Sequence, residues 1–150
     1  MIPNFKAHPW HGISAGAEAP DVVNVFVEIV PSDTIKYEID KQSGYLKVDR
    51  PQQFSNIIPA LYGFIPRTYC HDEVLKLAIE SGATDVTVGD LDPLDICVLS
   101  SHNIHAGGML MEAIPIGGFK MIDKGEADDK IVAVMKGDHA FGHFRDVSEL

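Results

Sequence analysis

The spacing of apolar and polar positions along the chain predicts a series of short strands. Val22–Val30 is dense in β-branched residues and predicts a buried strand. Ile35–Ile39 alternates apolar and polar side chains, so Lys36 and Glu38 should share one face. After a turn at residues 41–44, further strands are predicted at Tyr45–Val48, Leu94–Leu99, Met109–Ile116, Phe119–Ile122 and Ile131–Met135.

Helical spacing is clear in Asp72–Ser81, which has Val74, Leu75, Ala78 and Ile79 on one face and Gly82 as its stop. Residues 1–21 are rich in Gly, Ala, Pro and His and predict an extended arm. Asp146–Leu150 predicts the entry to a helix, with Ser148 as its cap. Several short strands with little helix favour a mainly β fold, a compact barrel.

Composition places the chain among ordinary globular proteins. Its 150 residues fit one domain, and 45% are apolar. No apolar run reaches the roughly 18–20 residues that cross a bilayer, and residues 1–12 do not resemble a secretory signal. Cys70 and Cys97 form no CxxC pair, and Cys97 is expected in the core. We therefore expect a reduced, cytoplasmic setting and no membrane partner.

The net charge of −10 argues against nucleic-acid binding, which needs a basic face. It leaves room for a small phosphate ligand if metal ions bridge acids and phosphate. Asp90, Asp92 and Asp95 stand at positions i, i+2 and i+5 around Pro93. In an extended segment Asp90 and Asp92 point to one side, and a bend at Pro93 brings Asp95 towards them. Spacing alone leaves a divalent-cation site and a solvated acidic turn equally open.

Two further sets of residues bear on this choice. Asp123, Asp128 and Lys130 lie in a charged loop between two predicted strands. Lys36, Arg50 and Tyr62 are typical phosphate partners in type, although each alone suits a surface or core-edge position. Glu28 stands inside an apolar strand, so its carboxylate needs an ion pair or a metal.

Taken together, these segments resemble the family I soluble inorganic pyrophosphatases of the bacterial type. The central match is Asp90-Leu91-Asp92-Pro93-Leu94-Asp95, which fits the family pattern D-x-D-P-x-D. Matches in the same order flank it: the strand with Glu28, the KYE segment 36–38, Asp49-Arg50, Tyr62-Gly63-Phe64, and Lys120–Asp123 followed by Asp128–Val134. The resemblance covers roughly residues 20–150.

The resemblance implies a closed five-stranded barrel similar to an OB-fold, with peripheral helices. Residues 1–150 would form one domain, in which 1–21 is an N-terminal arm and 68–89 a helical insertion. The family pattern continues with a C-terminal helix that carries a phosphate-binding Tyr-Lys pair. The chain ends before that helix, so we expect a truncated form. A homo-oligomer and a cytoplasmic location are also implied.

The resemblance further implies hydrolysis of inorganic diphosphate to two phosphates by a Mg²⁺-activated water. Asp92 would be the general base, and Asp90, Asp95, Asp123 and Asp128 would hold several Mg²⁺ ions. Mn²⁺ suits the same hard oxygen ligands. Phosphate oxygens would be contacted by Lys36, Arg50, Tyr62 and Lys130, while Glu28 and Glu38 would support these groups.

Three alternatives remain open at this point. A catalytically impaired fragment of the same family is one, because of the expected missing helix. An OB-like module for oligonucleotides or sugars is another, although 12 Lys and Arg residues offer little basic surface. A calcium-binding structural protein is the third, although Asp90–Asp95 does not follow the EF-hand spacing.

Overall fold

The computed structural model describes residues 6–53 and 58–150. Ten strands lie in this part of the chain, together with one α-helix and a short 3₁₀ helix at Val147–Glu149. The bounds are Val23–Ile29 (β1), Ile35–Ile39 (β2), Leu46–Pro51 (β3), Leu61–Phe64 (β4), Asp72–Glu80 (α1), Val88–Gly89 (β5), Asp95–Leu99 (β6), Met109–Phe119 (β7), Ile122–Asp123 (β8), Glu126–Ala127 (β9) and Lys130–Met135 (β10).

Five strands close into a barrel in the order β1-β4-β6-β10-β7, which confirms the predicted fold class. All neighbours pair antiparallel except β6 and β10, which run parallel with Lys130 opposite Asp95. Strands β2 and β3 form a separate hairpin, and β5, β9 and β8 form a small sheet. The parallel pair matters for function because it sets charged residues of two strands side by side.

The barrel interior is filled by alternate side chains, as strand geometry requires. Val25, Val27, Ile96 and Val98 are fully buried there. On β6 the intervening Asp95 and Cys97 face outwards and are half-buried. The expectation that Cys97 belongs to the core was therefore wrong, because its strand is buried on one face alone.

Strand β4 was not among the predicted strands, because it is four residues long and contains a glycine. Gly63 allows the backbones of β4 and β1 to approach closely and does not form a turn. A Cβ atom on Gly63 would lie 1.9 Å from the carbonyl oxygen of Phe26 on β1. Glycine lets the two backbones approach, and Tyr62 then points outwards beside Cys97.

The predicted break between strands at Gly117–Gly118 was also wrong. Strand β7 runs unbroken to Phe119, and the predicted strand Phe119–Ile122 is replaced by the short β8. Gly118 lies where β7 and β10 come close, because an added Cβ would be 2.8 Å from the Lys130 carbonyl oxygen. The glycines therefore accommodate strand contact instead of ending the strand.

Helix α1 covers the small sheet next to the barrel. It spans Asp72–Glu80 and buries Val74 and Ala78 against Cys70, Val86 and Ala127. Leu75 packs at the edge of this cluster, but Ile79 is 54% exposed, contrary to the predicted apolar face. None of the helices in the described residues is long and apolar enough to cross a membrane.

The two ends of the chain differ in how well they were predicted. Residues 6–21 contain turns and bends but no strand or helix, and their assignment as an arm stays a prediction. The C-terminal residues form the 3₁₀ helix, and its cap is Asp146, whose carboxylate accepts hydrogen bonds from the backbone and hydroxyl of Ser148. Ser148 is thus the donor to the cap, and its prediction as the cap was wrong.

Asp138 organises the loops beyond β6 and β10 and should be a main determinant of stability. The residue is 5% exposed, and its carboxylate accepts hydrogen bonds from the backbones of Ser101, Ala140 and Phe141 and from the hydroxyls of Ser100 and Ser101. Burial acts to raise the pKa of Asp138, but these hydrogen bonds outweigh it and the pKa is lowered.

Because Asp138→Ala leaves five part-buried hydrogen-bond donors without their acceptor, we expect it to lower the free energy of unfolding by about 3 kcal/mol in urea titrations. Asp146→Ala removes a comparable capping carboxylate from an exposed position and should have a much smaller effect. Equal losses for the two variants would contradict this view of Asp138.

Candidate active site

A cleft of about 260 Å³ opens beside the barrel, where the hairpin β2–β3, the loop 90–94 and the start of β10 meet. Its walls are strongly polar. Every site residue predicted from the sequence lines this cleft except Arg50. The lining residues are Glu28, Lys36, Tyr37, Glu38, Tyr62, Asp90, Asp92, Asp95, Asp123, Glu126, Asp128 and Lys130.

The acidic loop is a tight bend rather than the extended segment that was predicted. Leu91 adopts a left-handed backbone with φ of 65°, and the Asp92 backbone N–H donates to Asp90 Oδ1 at 3.0 Å. From behind, the Cys70 N–H donates to the Asp92 carbonyl at 2.8 Å. The bend still directs both carboxylates into the cleft, so their expected proximity holds for a different local reason.

Three carboxylates converge in this cleft. Asp90, Asp95 and Asp128, called the triad below, each offer an oxygen, and the three atoms lie within 4.8 Å of one another. Asp90 belongs to the loop, Asp95 begins β6, and Asp128 precedes β10. The parallel pairing of β6 and β10 is what brings the last two together.

Lys130 supplies the positive charge that this cluster needs. Its ammonium group lies 2.5 Å from Asp95 Oδ2 and also contacts Asp128 Oδ1. Burial tends to lower the pKa of Lys130, but the two carboxylates outweigh it and raise the pKa. Lys130 therefore stays charged and partly neutralises a cluster that would otherwise repel itself.

Two carboxyl groups of the cluster, Asp90 and Asp95, have raised pKa values. Burial raises the pKa of Asp90 to about 6, and the adjacent Asp128 contributes. Burial also raises the pKa of Asp95, although Lys130 and the Tyr62 hydroxyl oppose the rise. Tyr62 donates to Asp95 Oδ2 at 2.6 Å, and burial beside Asp95 raises the pKa of its phenol, which keeps the proton.

This donor set fits a hard divalent cation. Mg²⁺ binds oxygen ligands at about 2.1 Å, so two oxygens on one ion lie at most about 4.2 Å apart. The three oxygens are within a small side-chain shift of that geometry. The Lys130 ammonium group already contacts the Asp95 and Asp128 carboxylates, so this position attracts a cation.

Comparison with known proteins agrees with this chemistry. The family model described as "Inorganic pyrophosphatase" matches residues 25–150. This chain belongs to the inorganic pyrophosphatase family. It is 48% identical over 142 residues to an inorganic pyrophosphatase of Chlamydia muridarum, covering 95% of this chain and 68% of that protein. A soluble inorganic pyrophosphatase of Zea mays is 42% identical, over 98% of this chain and 60% of the relative.

Solved structures of the family share the fold. The inorganic pyrophosphatase of Thermus thermophilus superposes with a TM-score of 0.76 at 28% identity, over 96% of this chain and 71% of that one. The protein from Ehrlichia chaffeensis gives a TM-score of 0.71 at 32% identity, over 92% and 76%. This chain thus spans about 60 to 76% of the length of these relatives.

The basic residues predicted for the family site divide between two places. Lys36 lines the cleft, 3.3 Å from Asp49 Oδ2 and 3.9 Å from Glu38 Oε2. The ion pair between Lys36 and Glu38 puts both side chains on one face of β2, as predicted from their spacing. Arg50 stands opposite Lys36 in the hairpin but lines a neighbouring depression, which shares Lys36 and Tyr62 with the cleft.

Two residues of the family cleft were missed at the sequence level. Glu126 pairs directly with Asp123 across the β8–β9 hairpin, and both line the cleft outside the triad. Tyr37 follows Lys36, where a bulge shifts the register of β2 against β3. The alternation of acids at positions 126 and 128 was a usable signal for Glu126, whereas the bulge left no trace in the sequence.

Glu28 lies at the bottom of the cleft, where it is 6% exposed. Its Oε1 accepts the Ile39 backbone N–H at 2.7 Å, which ties β1 to β2. Burial raises the pKa of Glu28 from 4.5 to about 8, and Asp95 and Glu38 add to the rise. The sequence predicted an ion pair or a metal for this carboxylate; the described residues give it no ion pair but a backbone donor on one oxygen, and the metal stays a prediction.

The raised pKa of Glu28 makes stability depend on pH in metal-free protein. Between these two pKa values, Glu28 keeps its proton in the folded state and loses it in the unfolded chain. Its contribution to stability is therefore greatest below about pH 4.5 and is lost as the pH rises to about 8. The difference between pKa values of 4.5 and about 8 corresponds to a loss on the order of 5 kcal/mol. Glu28→Gln keeps the acceptor and should remove this slope in urea titrations between pH 5 and 9 in EDTA. Glu80→Gln, at an exposed position, should keep the wild-type dependence of stability on pH. Parallel plots of unfolding free energy against pH for Glu28→Gln and wild type would contradict the raised pKa of Glu28.

Proposed function

We propose that this chain hydrolyses inorganic diphosphate to two phosphates, with Mg²⁺ as the required ion. The observation that carries the proposal is the meeting of Asp90, Asp95 and Asp128 beside Lys130 and Lys36 in one cleft. A polyanionic substrate needs this mixture, because carboxylates hold the ions and ammonium groups meet the phosphate oxygens. Family membership supports the same reaction.

The acids divide into ligands and a proton acceptor. Asp90, Asp95 and Asp128 would hold the first ion, and Asp123, which also lines the cleft, would help to hold ions that arrive with substrate. Bound Mg²⁺ supplies charge that neutralises phosphate oxygens and makes water a better nucleophile. Asp92 lines the same cleft outside the triad, which suits a general base.

The reaction then needs no covalent intermediate. Water attacks one phosphorus atom, its proton passes to Asp92, and the bond from that phosphorus to the bridging oxygen breaks. The leaving phosphate carries the bridging oxygen away. Lys36, Arg50, Tyr62 and Lys130 would contact the phosphate oxygens and hold the two groups in line, while Glu28 and Glu38 support the strand and the lysine.

Binding of substrate would require a rearrangement at two of these residues. In the absence of ions, Lys130 and the Tyr62 hydroxyl both donate to Asp95 Oδ2. Ions at the triad would compete for this oxygen and free both donors for phosphate. Mn²⁺ has the same preference for oxygen ligands and would substitute for Mg²⁺.

A cytoplasmic location and a homo-oligomeric state suit two further features of the chain. The Cys70 thiol donates to the Ala127 carbonyl at 3.1 Å, a contact that requires a reduced thiol and suits the cytoplasm. Homo-oligomerisation would cover apolar side chains that stand out from the surface, such as Phe119, which is 58% exposed, and Ile122, which is 45% exposed. The resemblance to the family suggests the same.

A ³¹P NMR time course tests the proposed reaction. With Mg²⁺ present, the diphosphate signal should be replaced by twice as many moles of orthophosphate, while a phosphate monoester supplied in parallel should persist. Persistence of diphosphate, as expected for an impaired fragment or a binding module, would reject the proposal. Equal consumption of the monoester would reject its substrate class.

A further inference from the structure

The turn between β2 and β3 reaches across the cleft to the acidic loop. Lys41 stands in this turn, and its ammonium group is in close ionic contact with Asp92 Oδ1. That oxygen is shielded from solvent and accepts no directed hydrogen bond from the described residues. The Asp92 side chain is nevertheless 32% exposed, so its other oxygen, Oδ2, is the one left to meet water.

The backbone around Lys41 is held firmly. Asp40 Oδ2 accepts the Ser43 backbone N–H at 2.9 Å and the Ser43 hydroxyl at 2.5 Å. The Asp40 N–H donates to the Tyr45 carbonyl at 2.8 Å, which closes the turn. A long lysine side chain that starts from such a fixed point loses less freedom when it forms an ion pair.

The N-terminal arm braces this turn from outside. His8 Nδ1 accepts the backbone N–H groups of Trp10 and His11 at 3.1 and 3.3 Å, so its proton lies on Nε2. His8 Nε2 therefore donates to the Lys41 carbonyl at 2.9 Å. Gly44 packs so closely that an added Cβ would lie 2.9 Å from the His8 ring.

The same arm also braces the opposite wall of the cleft. Trp10 Nε1 donates to the Thr68 carbonyl at 2.8 Å, and Thr68 Oγ1 accepts the Leu94 N–H at 2.9 Å, just after Asp92. Two residues beyond Thr68, the Cys70 N–H holds the Asp92 carbonyl. The arm thus fixes the distance between Lys41 and the acidic loop.

We propose that Lys41 is a positioning residue that orients the Asp92 carboxylate, with the arm residues His8 and Trp10 holding it in place. The proposal rests on the proposed function, in which Asp92 accepts the proton from water. An ammonium group on Oδ1 leaves Oδ2 facing the cleft. A solvated surface ion pair, by contrast, would contribute little and would not affect turnover.

The first test separates kcat from binding. Because misplacement of a catalytic group by about 1 Å costs up to about a hundredfold, Lys41→Met should lower kcat for diphosphate about tenfold. The KM and the Mg²⁺ dissociation constant should change by less than about threefold, since Lys41 does not contact the triad. Lys41→Arg should restore most of kcat. Lys47→Met, on the same hairpin and 55% exposed, should behave as wild type.

The second test asks whether Lys41 acts through Asp92. In an Asp92→Asn background, Lys41→Met should lower kcat no further, because the oriented group is already lost. A crystal structure gives a readout that does not need turnover: Asp92 should occupy one rotamer in wild type and move in Lys41→Met. An active wild type with unchanged kcat in Lys41→Met, an additional loss in the double variant, or an unmoved Asp92 would overturn the proposal. An inactive wild type would instead reject the proposed function.

Discussion

Asp92→Asn is expected to reduce kcat for diphosphate hydrolysis about a hundred- to thousandfold, because general bases typically contribute factors of this size. The substitution keeps the size and shape of the side chain. The Asp92 backbone contacts to Cys70 and Asp90 are also retained, so the loop should keep its bend. Single-turnover phosphate release at saturating Mg²⁺ would measure the effect on chemistry directly.

The matched control for this substitution is Asp129→Asn. Asp129 belongs to the same run of acids but lies outside the cleft, where its Oδ1 accepts the Met121 N–H, a role that an asparagine oxygen can fill. We expect wild-type turnover from this control. If Asp92→Asn also retained wild-type kcat, another group would have to accept the proton.

Asp95→Ala should weaken Mg²⁺ binding by at least about a hundredfold, because even residues behind metal ligands contribute factors of ten to a hundred. Asp95 is the hub of the cleft, since its Oδ2 accepts from both Tyr62 and Lys130. Its loss removes one ligand and leaves the half-buried Lys130 ammonium group with fewer partners. Calorimetric titration with Mg²⁺, in the absence of diphosphate, would report the change.

Two variants frame that result. Asp85→Ala removes an exposed carboxylate that is not part of the triad and should leave the Mg²⁺ isotherm unchanged. Asp95→Asn keeps an acceptor for Tyr62 and Lys130 and should preserve the fold while still losing most of the affinity. Unaltered Mg²⁺ binding in both Asp95 variants would exclude Asp95 as a ligand.

The local pattern of apolar residues predicted much of the fold. Apolar runs rich in β-branched residues located β1 and β10, which are buried along most or the middle of their length, and β6 was located although only alternate residues of it are buried. The pattern failed where backbone proximity decides the residue. Gly63 in β4 and Gly118 in β7 resemble turn residues, yet both serve strand-to-strand contact that is set by tertiary structure.

The contacts of the site likewise divide into those that sequence spacing predicted and those that tertiary packing determines. The spacing of Asp90, Asp92 and Asp95 was informative because the loop that carries them is short. The contact of Lys130 with Asp95 depends on the parallel register of β6 and β10, which are distant in sequence. The approach of Lys41 to Asp92 depends on how the hairpin leans over the cleft. Such contacts follow from packing and could not be read from spacing.

The most direct test compares phosphate release from diphosphate by the same wild-type sample with EDTA and then with excess Mg²⁺. The proposed mechanism predicts no release above the uncatalysed background in EDTA and full activity once Mg²⁺ is restored, because the clustered acids act through the ions they hold. Release at the same rate in both conditions would contradict it.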